Sequence, residues 1–236
     1  MTRLLSTMRL DVTLQARNKL YHISIGLALL IAVAMRSFFP QDMLGAAIPA
    51  FVLMAIGGTT FMFVAGMIIF EKNENTLDGI IVTPLRVREY LFSKTVTLTL
   101  LATLETSVII LLSFGFGFNG LLVYTGMVLL GAMMVLMGII PVVRYDTVTD
   151  FFLPAGIIGV ITQLPIFLLA NLGAGLDALW YAIPTAAPFV LMLGGFDGIS
   201  TWQLIYGVGY SVLWIAGLSV WAKIAFDRHI ILMGGS

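Results

Sequence analysis

The sequence predicts an all-α polytopic membrane protein, a single transmembrane domain over residues 1–236 with six spanning helices. Three observations predict it. First, 60% of the residues are hydrophobic and only 10% are charged, with a mean hydropathy of +1.05; soluble domains carry roughly 25% charged residues. Second, the few charges punctuate apolar runs long enough for about 20 helical residues each, the length that crosses a bilayer. Third, the cations segregate to one side of the implied topology.

The spans follow from charge to charge. Lys19 to Arg36 encloses the first, and Asp42 to Glu71 the second. The run from Lys94 to Arg144 is too long for one crossing, and the Gly-rich GFGFNG at 115–120 divides it into spans near 94–114 and 121–143. The fifth covers 151–171 and the sixth 202–226. Between them lies an apolar stretch with Pro184 and Pro188, too interrupted for a regular crossing helix. Irregular backbone at membrane depth survives only inside protein or along water, so 178–196 is expected to be a re-entrant element on the outer side. A seventh short span is the alternative.

Six spans put both termini on one face. Assigning that face to the cytoplasm places Arg3, Arg9, Arg17, Lys19, Lys72, Arg86, Arg88, Lys94, Arg144, Lys223 and Arg228 inside and leaves only Arg36 outside. The positive-inside rule therefore fixes an orientation with cytoplasmic termini. Residues 3–19 are expected to lie in the interface as a helix, with Leu4, Met8, Val12 and Ala16 as its apolar stripe. The long polar lead with Asp11 is unlike the short basic start of a secretory signal.

Composition also excludes chemistry. No cysteine is present, which removes disulfides and thiolate sites, and His22 and His229 are the two histidines. No multi-His metal site is expected, so no metal is assigned. The zero net charge argues against nucleic acid as a partner.

The most polar stretch, FEKNENTLDGIIVTPLRVREYLFSK at 70–94, holds Lys72, Arg86, Arg88 and Lys94 with Glu71, Glu74, Asp78 and Glu89. Thr83-Pro84 is a helix-start signal: threonine offers an N-cap oxygen, and proline at the first helical position gives up an N–H that had no partner anyway. A short helix from Pro84 to Ser93, parallel to the membrane, would carry Val87, Tyr90 and Leu91 on one face, with Lys94 anchoring at headgroup level. Such a helix suits a protein partner; an ordinary solvated loop is the other reading of the residues alone.

The pattern of Glu71, Glu74, Thr76, Leu77, Thr83, Pro84, Leu85, Glu89 and Lys94, placed after the second span, resembles the signature of permease subunits in the type-2 ABC exporter superfamily. Asn75 departs from it, standing where glycine is usual. The resemblance covers the whole chain and implies that 71–93 is a cytoplasmic coupling segment docking on a separate ATPase subunit. On that reading Arg86, Arg88 and Glu89 position the docking, while Leu85, Tyr90 and Leu91 fill the partner's groove. It further implies a homodimer or a pairing with a sister permease, in the inner membrane of a prokaryote. The implied cargo is a small amphipathic drug, a lipid or a related solute.

This chain has no nucleotide site of its own. A phosphate-binding loop needs Gly-Lys, and the four lysines follow Asn18, Glu71, Ser93 and Ala222. ATP and Mg are thus expected on the partner, and this chain is not expected to be an enzyme. Within the membrane, Glu105 with Thr59, Thr60 and Gln163 forms a candidate polar path; a protonated acid bonded between helices is the structural alternative. Two other functional classes stay in view: a secondary transporter using Glu105 as proton relay, and a non-transporting anchor or sensor. An intramembrane hydrolase built on Ser211 lacks a base within reach.

Overall fold

The computed structural model describes residues 2–74, 76, 86–170 and 177–231. All regular structure among them is helical: α1 (Thr2–Arg17), α2 (Leu20–Phe38), α3 (Gln41–Ala55), α4 (Phe61–Asn73), α5 (Val87–Ser113), α6 (Gly120–Val142), α7 (Val148–Gln163), α8 (Asp177–Tyr181), α9 (Ala186–Asp197) and α10 (Thr201–Phe226). Among the described residues, six helical stretches are long and apolar enough to cross a membrane: α2, α3 to α4 as one, α5, α6, α7 with its continuation to Leu169, and α10 to Ile230. The expected six spans are therefore present.

The second span is 33 residues long and is interrupted in two ways. Pro49 lies inside α3, and a π turn at Ile56–Thr60 links α3 to α4. In a bilayer such an interruption is tolerated when neighbouring helices satisfy the freed backbone groups. The fifth span tightens to a 3-10 helix at Leu164–Ala170, where Pro165 removes a backbone donor and crowds the preceding turn. Between the third and fourth spans, Gly115 takes a φ of 87°, a left-handed conformation natural to glycine. Asn119 then caps α6 by accepting from the Leu122 N–H.

The apolar stretch before the last span forms α8 and α9 rather than one long helix. With 12 residues, α9 is about 18 Å long, well short of the hydrocarbon thickness. It is nonetheless central: Ala186, Phe189, Leu191 and Met192 are buried. Its neighbours are α3, α6 and α10. Glycines allow the close approach. A Cβ on Gly126 would meet Pro188 O at 2.7 Å, and one on Gly207 would meet Leu191 Cγ at 2.5 Å. Gly57 touches Gln163, whereas Gly58 has open space and Gly66 meets only Phe70 of its own helix.

α2, α7 and α10 form the rim, with Leu30, Val33, Phe152, Leu153, Ile205 and Leu213 among their outward-facing apolar residues. That surface suits lipid.

One local expectation is corrected. The helix proposed for Pro84–Ser93 is not a separate element: Arg86 is extended (φ −84°, ψ 142°) and α5 runs unbroken from Val87 to Ser113. No glycine or proline interrupts those residues, so the third span simply continues outward through them. Thr83, Pro84 and Leu85 lie outside the described residues. The expected N-terminal helix is present as α1, with Val12 and Ala16 of its apolar stripe exposed, while the face turned to the protein carries Asp11 and Gln15, both buried. A polar face goes inward here because its partners on α5 are themselves polar. Lys19, at φ 60°, makes the corner into α2.

Candidate functional site: a buried charge cluster where spans two and three meet

The C-terminal end of α4 and the N-terminal end of α5 flank the 75–86 segment, and between them lies a buried ion-pair cluster. Lys94 sits two turns into α5 with its side chain 1% exposed. Its ammonium contacts Asp11 Oδ1 of α1 at 2.6 Å and also Glu71 Oε1 of α4. The two acids are nearly as enclosed, at 4% and 12% exposed. Ser93 donates to the second Asp11 oxygen, and the Tyr90 hydroxyl donates to the second Glu71 oxygen. Tyr90 also presents its ring to the ammonium, 5.3 Å from the centroid. One face of α5 thus supplies cation, hydroxyl and phenol at positions 90, 93, 94 and 97, the three-and-four spacing that shares a helical face. One turn deeper, Gln15 donates to Thr97 Oγ1 at 3.0 Å and accepts from Tyr21.

Desolvating three charges is costly, and the attraction offsets it only when the remaining lone pairs and protons are also bonded. Here every carboxylate oxygen of Asp11 and Glu71 has a donor. The arrangement welds α1, α4 and α5 together at one end of the molecule. It also means that Lys94 does not anchor at headgroup level and that Glu71 is not free to meet a partner.

Around this cluster, further polar residues have local roles. Thr76 donates through both its N–H (3.0 Å) and its hydroxyl (2.9 Å) to Glu71 O, closing the end of α4. Lys72 reaches Val143 O, Tyr145 O and Asp146 Oδ1 at 3.4, 2.9 and 2.6 Å. It thereby serves the carbonyl end of α6, where a cation is favoured. On the far side of the membrane Arg36 does the same for α5, donating to Leu112 O at 3.4 Å. Glu74 makes a loose, exposed pair with Arg17 at 3.8 Å.

The proposed docking residues divide into two sets. Tyr90 and Leu91 are buried, with Tyr90 packed on Phe226 at 5.2 Å between centroids. They belong to this chain's own core and are not available to fill a partner's groove, because the helix that carries them is the third span itself. Arg86 and Arg88 are exposed. Glu89 reaches back to accept from the Arg86 N–H at 3.0 Å, satisfying a donor at the start of α5.

Deeper in the membrane, Glu105 is 1% exposed and one oxygen meets Thr59 Oγ1 at 3.0 Å. Thr59 also contacts Ala55 O at 2.7 Å. The Thr59 hydroxyl is thus shared between the Glu105 carboxyl and the α3 backbone, tying the second span to the third. Glu105 Oε1 has no partner among the described residues. Thr60 is buried on the same π turn, but it is Thr59 that reaches the acid. Gln163 stands apart, donating to Leu53 O at 3.3 Å and packing over Gly57. The π turn itself gave no sequence signal beyond Gly57-Gly58; such turns often mark functional positions. Glu105→Gln keeps a donor for Thr59 and is expected to leave thermal stability in detergent within about 1 kcal/mol. Glu105→Leu strips that partner and should cost about 1–3 kcal/mol. Ser211 donates to Gly207 O at 2.6 Å, so its hydroxyl is committed to its own helix.

An all-α polytopic membrane protein with six candidate spans and a buried polar junction at the end of the second is the class that the fold and site define. Comparison with known proteins narrows this. A family model described as the fluoroquinolones export permease protein family matches residues 2–233, and the chain belongs to that family. It is similar to the fluoroquinolones export permease protein MT2761 of Mycobacterium tuberculosis (strain CDC 1551 / Oshkosh), 33% identical over all of this chain and 99% of that relative. The fluoroquinolones export permease protein Rv2687c of strain ATCC 25618 / H37Rv matches to the same extent.

Proposed function

We propose that this export permease is the membrane-spanning subunit of an ATP-driven ABC exporter, carrying a small amphipathic solute of the fluoroquinolone kind. A separate ATPase subunit would bind ATP and Mg and grip the segment between α4 and α5. The permease would work as a homodimer or beside a sister permease, in the inner membrane of a prokaryote with both termini in the cytoplasm. The observation that carries this reading is the Asp11–Lys94–Glu71 cluster. It joins the helices on either side of the 75–86 segment, so a push on that segment is delivered to α1, α4 and α5 as one body.

Arg86 and Arg88, exposed beside that segment, are the described residues on offer for docking, with Glu89 holding the helix start in place. In proteoliposomes containing permease and ATPase, Arg88→Glu is expected to weaken transport-coupled ATP hydrolysis by about tenfold or more, since like charges across an interface cost several kcal/mol. Unchanged stimulation and transport would remove Arg88 from the docking surface. A second reading, a proton-coupled carrier, draws on the buried Glu105 with its unpartnered oxygen. The same vesicles separate the two. Transport that needs the ATPase and survives collapse of the proton gradient supports the first reading; transport by the permease alone that disappears with the gradient supports the second.

A further inference from the structure

A groove of about 820 Å³ runs between α5, α6 and α10 on the outside of the bundle. Leu91 and Leu136 form its floor, and the outward-facing Phe92, Val220 and Ile224 form its lips. Thr95 and Ser219 line it too, but each hydroxyl is committed to its own helix, at Leu91 O and Ile215 O. The wall is therefore apolar in practice along most of its length. At one end stand two cations, Arg88 and Lys223. Lys223 is paired with Asp227 of its own helix end. The Arg88 guanidinium has no ion pair or hydrogen bond among the described residues, so this end carries an excess positive charge.

The dimensions match one leaflet. From Arg88 to Leu100, the lining residues on α5 span twelve positions, about 18 Å at 1.5 Å per residue. Half the hydrocarbon core is about 15 Å. We infer that this groove is a binding site for an anionic phospholipid of the leaflet at the Arg88 end, its headgroup on Arg88 and Lys223 and its acyl chains along Leu91, Leu136 and Val220. Charge complementarity and one-leaflet length select this occupant. Basic pockets between spanning helices hold anionic headgroups in this way. The site goes beyond the export reading and does not rest on it, because lipid binding requires no ATPase.

The test uses the purified permease alone, in mixed micelles containing equal phosphatidylglycerol and phosphatidylcholine, with native mass spectrometry of retained lipid. Wild type is expected to retain phosphatidylglycerol about fivefold over phosphatidylcholine, the ratio that about 1 kcal/mol per unmatched cation gives. Arg88→Ala/Lys223→Ala, which leaves Asp227 unpaired, should bring phosphatidylglycerol to parity or below, and Ala132→Phe, which fills the groove, should lower retention of both. Thr99→Val is expected to leave the ratio unchanged. Thr99 lies on the lining with a hydroxyl that has no partner, and a transported solute held here would use it. Should the double variant not fold, a photoactivatable phosphatidylglycerol on the wild-type protein must label Phe92 or Val220. Parity in the wild type, labelling elsewhere, or cross-linking of Val220→Cys between two copies of the chain would overturn the assignment.

Discussion

Replacing Lys94 by methionine is expected to destabilise the permease by about 3–5 kcal/mol, the cost of removing one partner from a buried ion pair. The side chain is nearly isosteric, so packing is not what is lost. What is lost is the one cation between Asp11 and Glu71, whose carboxylates are almost fully enclosed. Total stabilities of folded domains are about 5–15 kcal/mol, so the variant should yield little monodisperse protein and unfold well below wild type in detergent. The triple substitution Lys94→Met/Asp11→Asn/Glu71→Gln removes all three charges together and should recover most of the loss. A Lys94→Met protein as stable as wild type would mean that the cluster is wet and contributes little.

Gly126→Val is the second large effect. A Cβ at this position lies 2.7 Å from Pro188 O and 2.6 Å from Met192 Cγ. The methionine can swing aside, but a backbone carbonyl of the short helix α9 cannot. Forcing extra carbons into such a contact costs about 1–3 kcal/mol or more, and here it would push α9 away from α6. Thermal unfolding should fall sharply for Gly126→Val and moderately for Gly126→Ala. Gly159→Ala, where nothing lies within 4 Å, should be silent under the same conditions. Equal behaviour of Gly126→Ala and Gly159→Ala would show that α6 and α9 are not in close contact.

The spans were legible because hydropathy is a property of each segment alone: the apolar runs between Lys19, Asp42, Glu71 and Arg144, and the break at Gly115, correspond to helices and a turn. The junction was not legible, because its parts are remote in the chain. A lysine at the edge of an apolar run ordinarily reaches for headgroups, and nothing beside Lys94 announces that Asp11 and Glu71 converge on it from 83 and 23 residues away. For the same reason the stripe of Leu4, Met8, Val12 and Ala16 on α1 gave no sign that the opposite face turns Asp11 and Gln15 inward to meet Lys94 and Thr97. Tyr90 and Leu91 looked like groove-fillers for a partner because a Thr-Pro pair before them suggested a free-standing helix. Once that helix is continuous with the third span, the same aromatic packs on Phe226. Lys72 carried no signal beyond its charge, although it holds the end of α6.

On the proposed reading, joining α1, α4 and α5 into one moving body is what links the polar junction to export. The chain contains no cysteine, so spin labels can be placed at will, and Phe70 on α4 and Phe92 on α5 are both exposed. The most direct measurement is the Phe70→Cys to Phe92→Cys label distance in the proposed permease–ATPase complex, first nucleotide-free and then trapped after hydrolysis. A distance constant to within about 1–2 Å across both states, broadening when Lys94→Met is introduced, is the expected result. A shift of about one helical turn, about 5 Å, with Lys94 intact would show that spans two and three slide past each other and are not clamped.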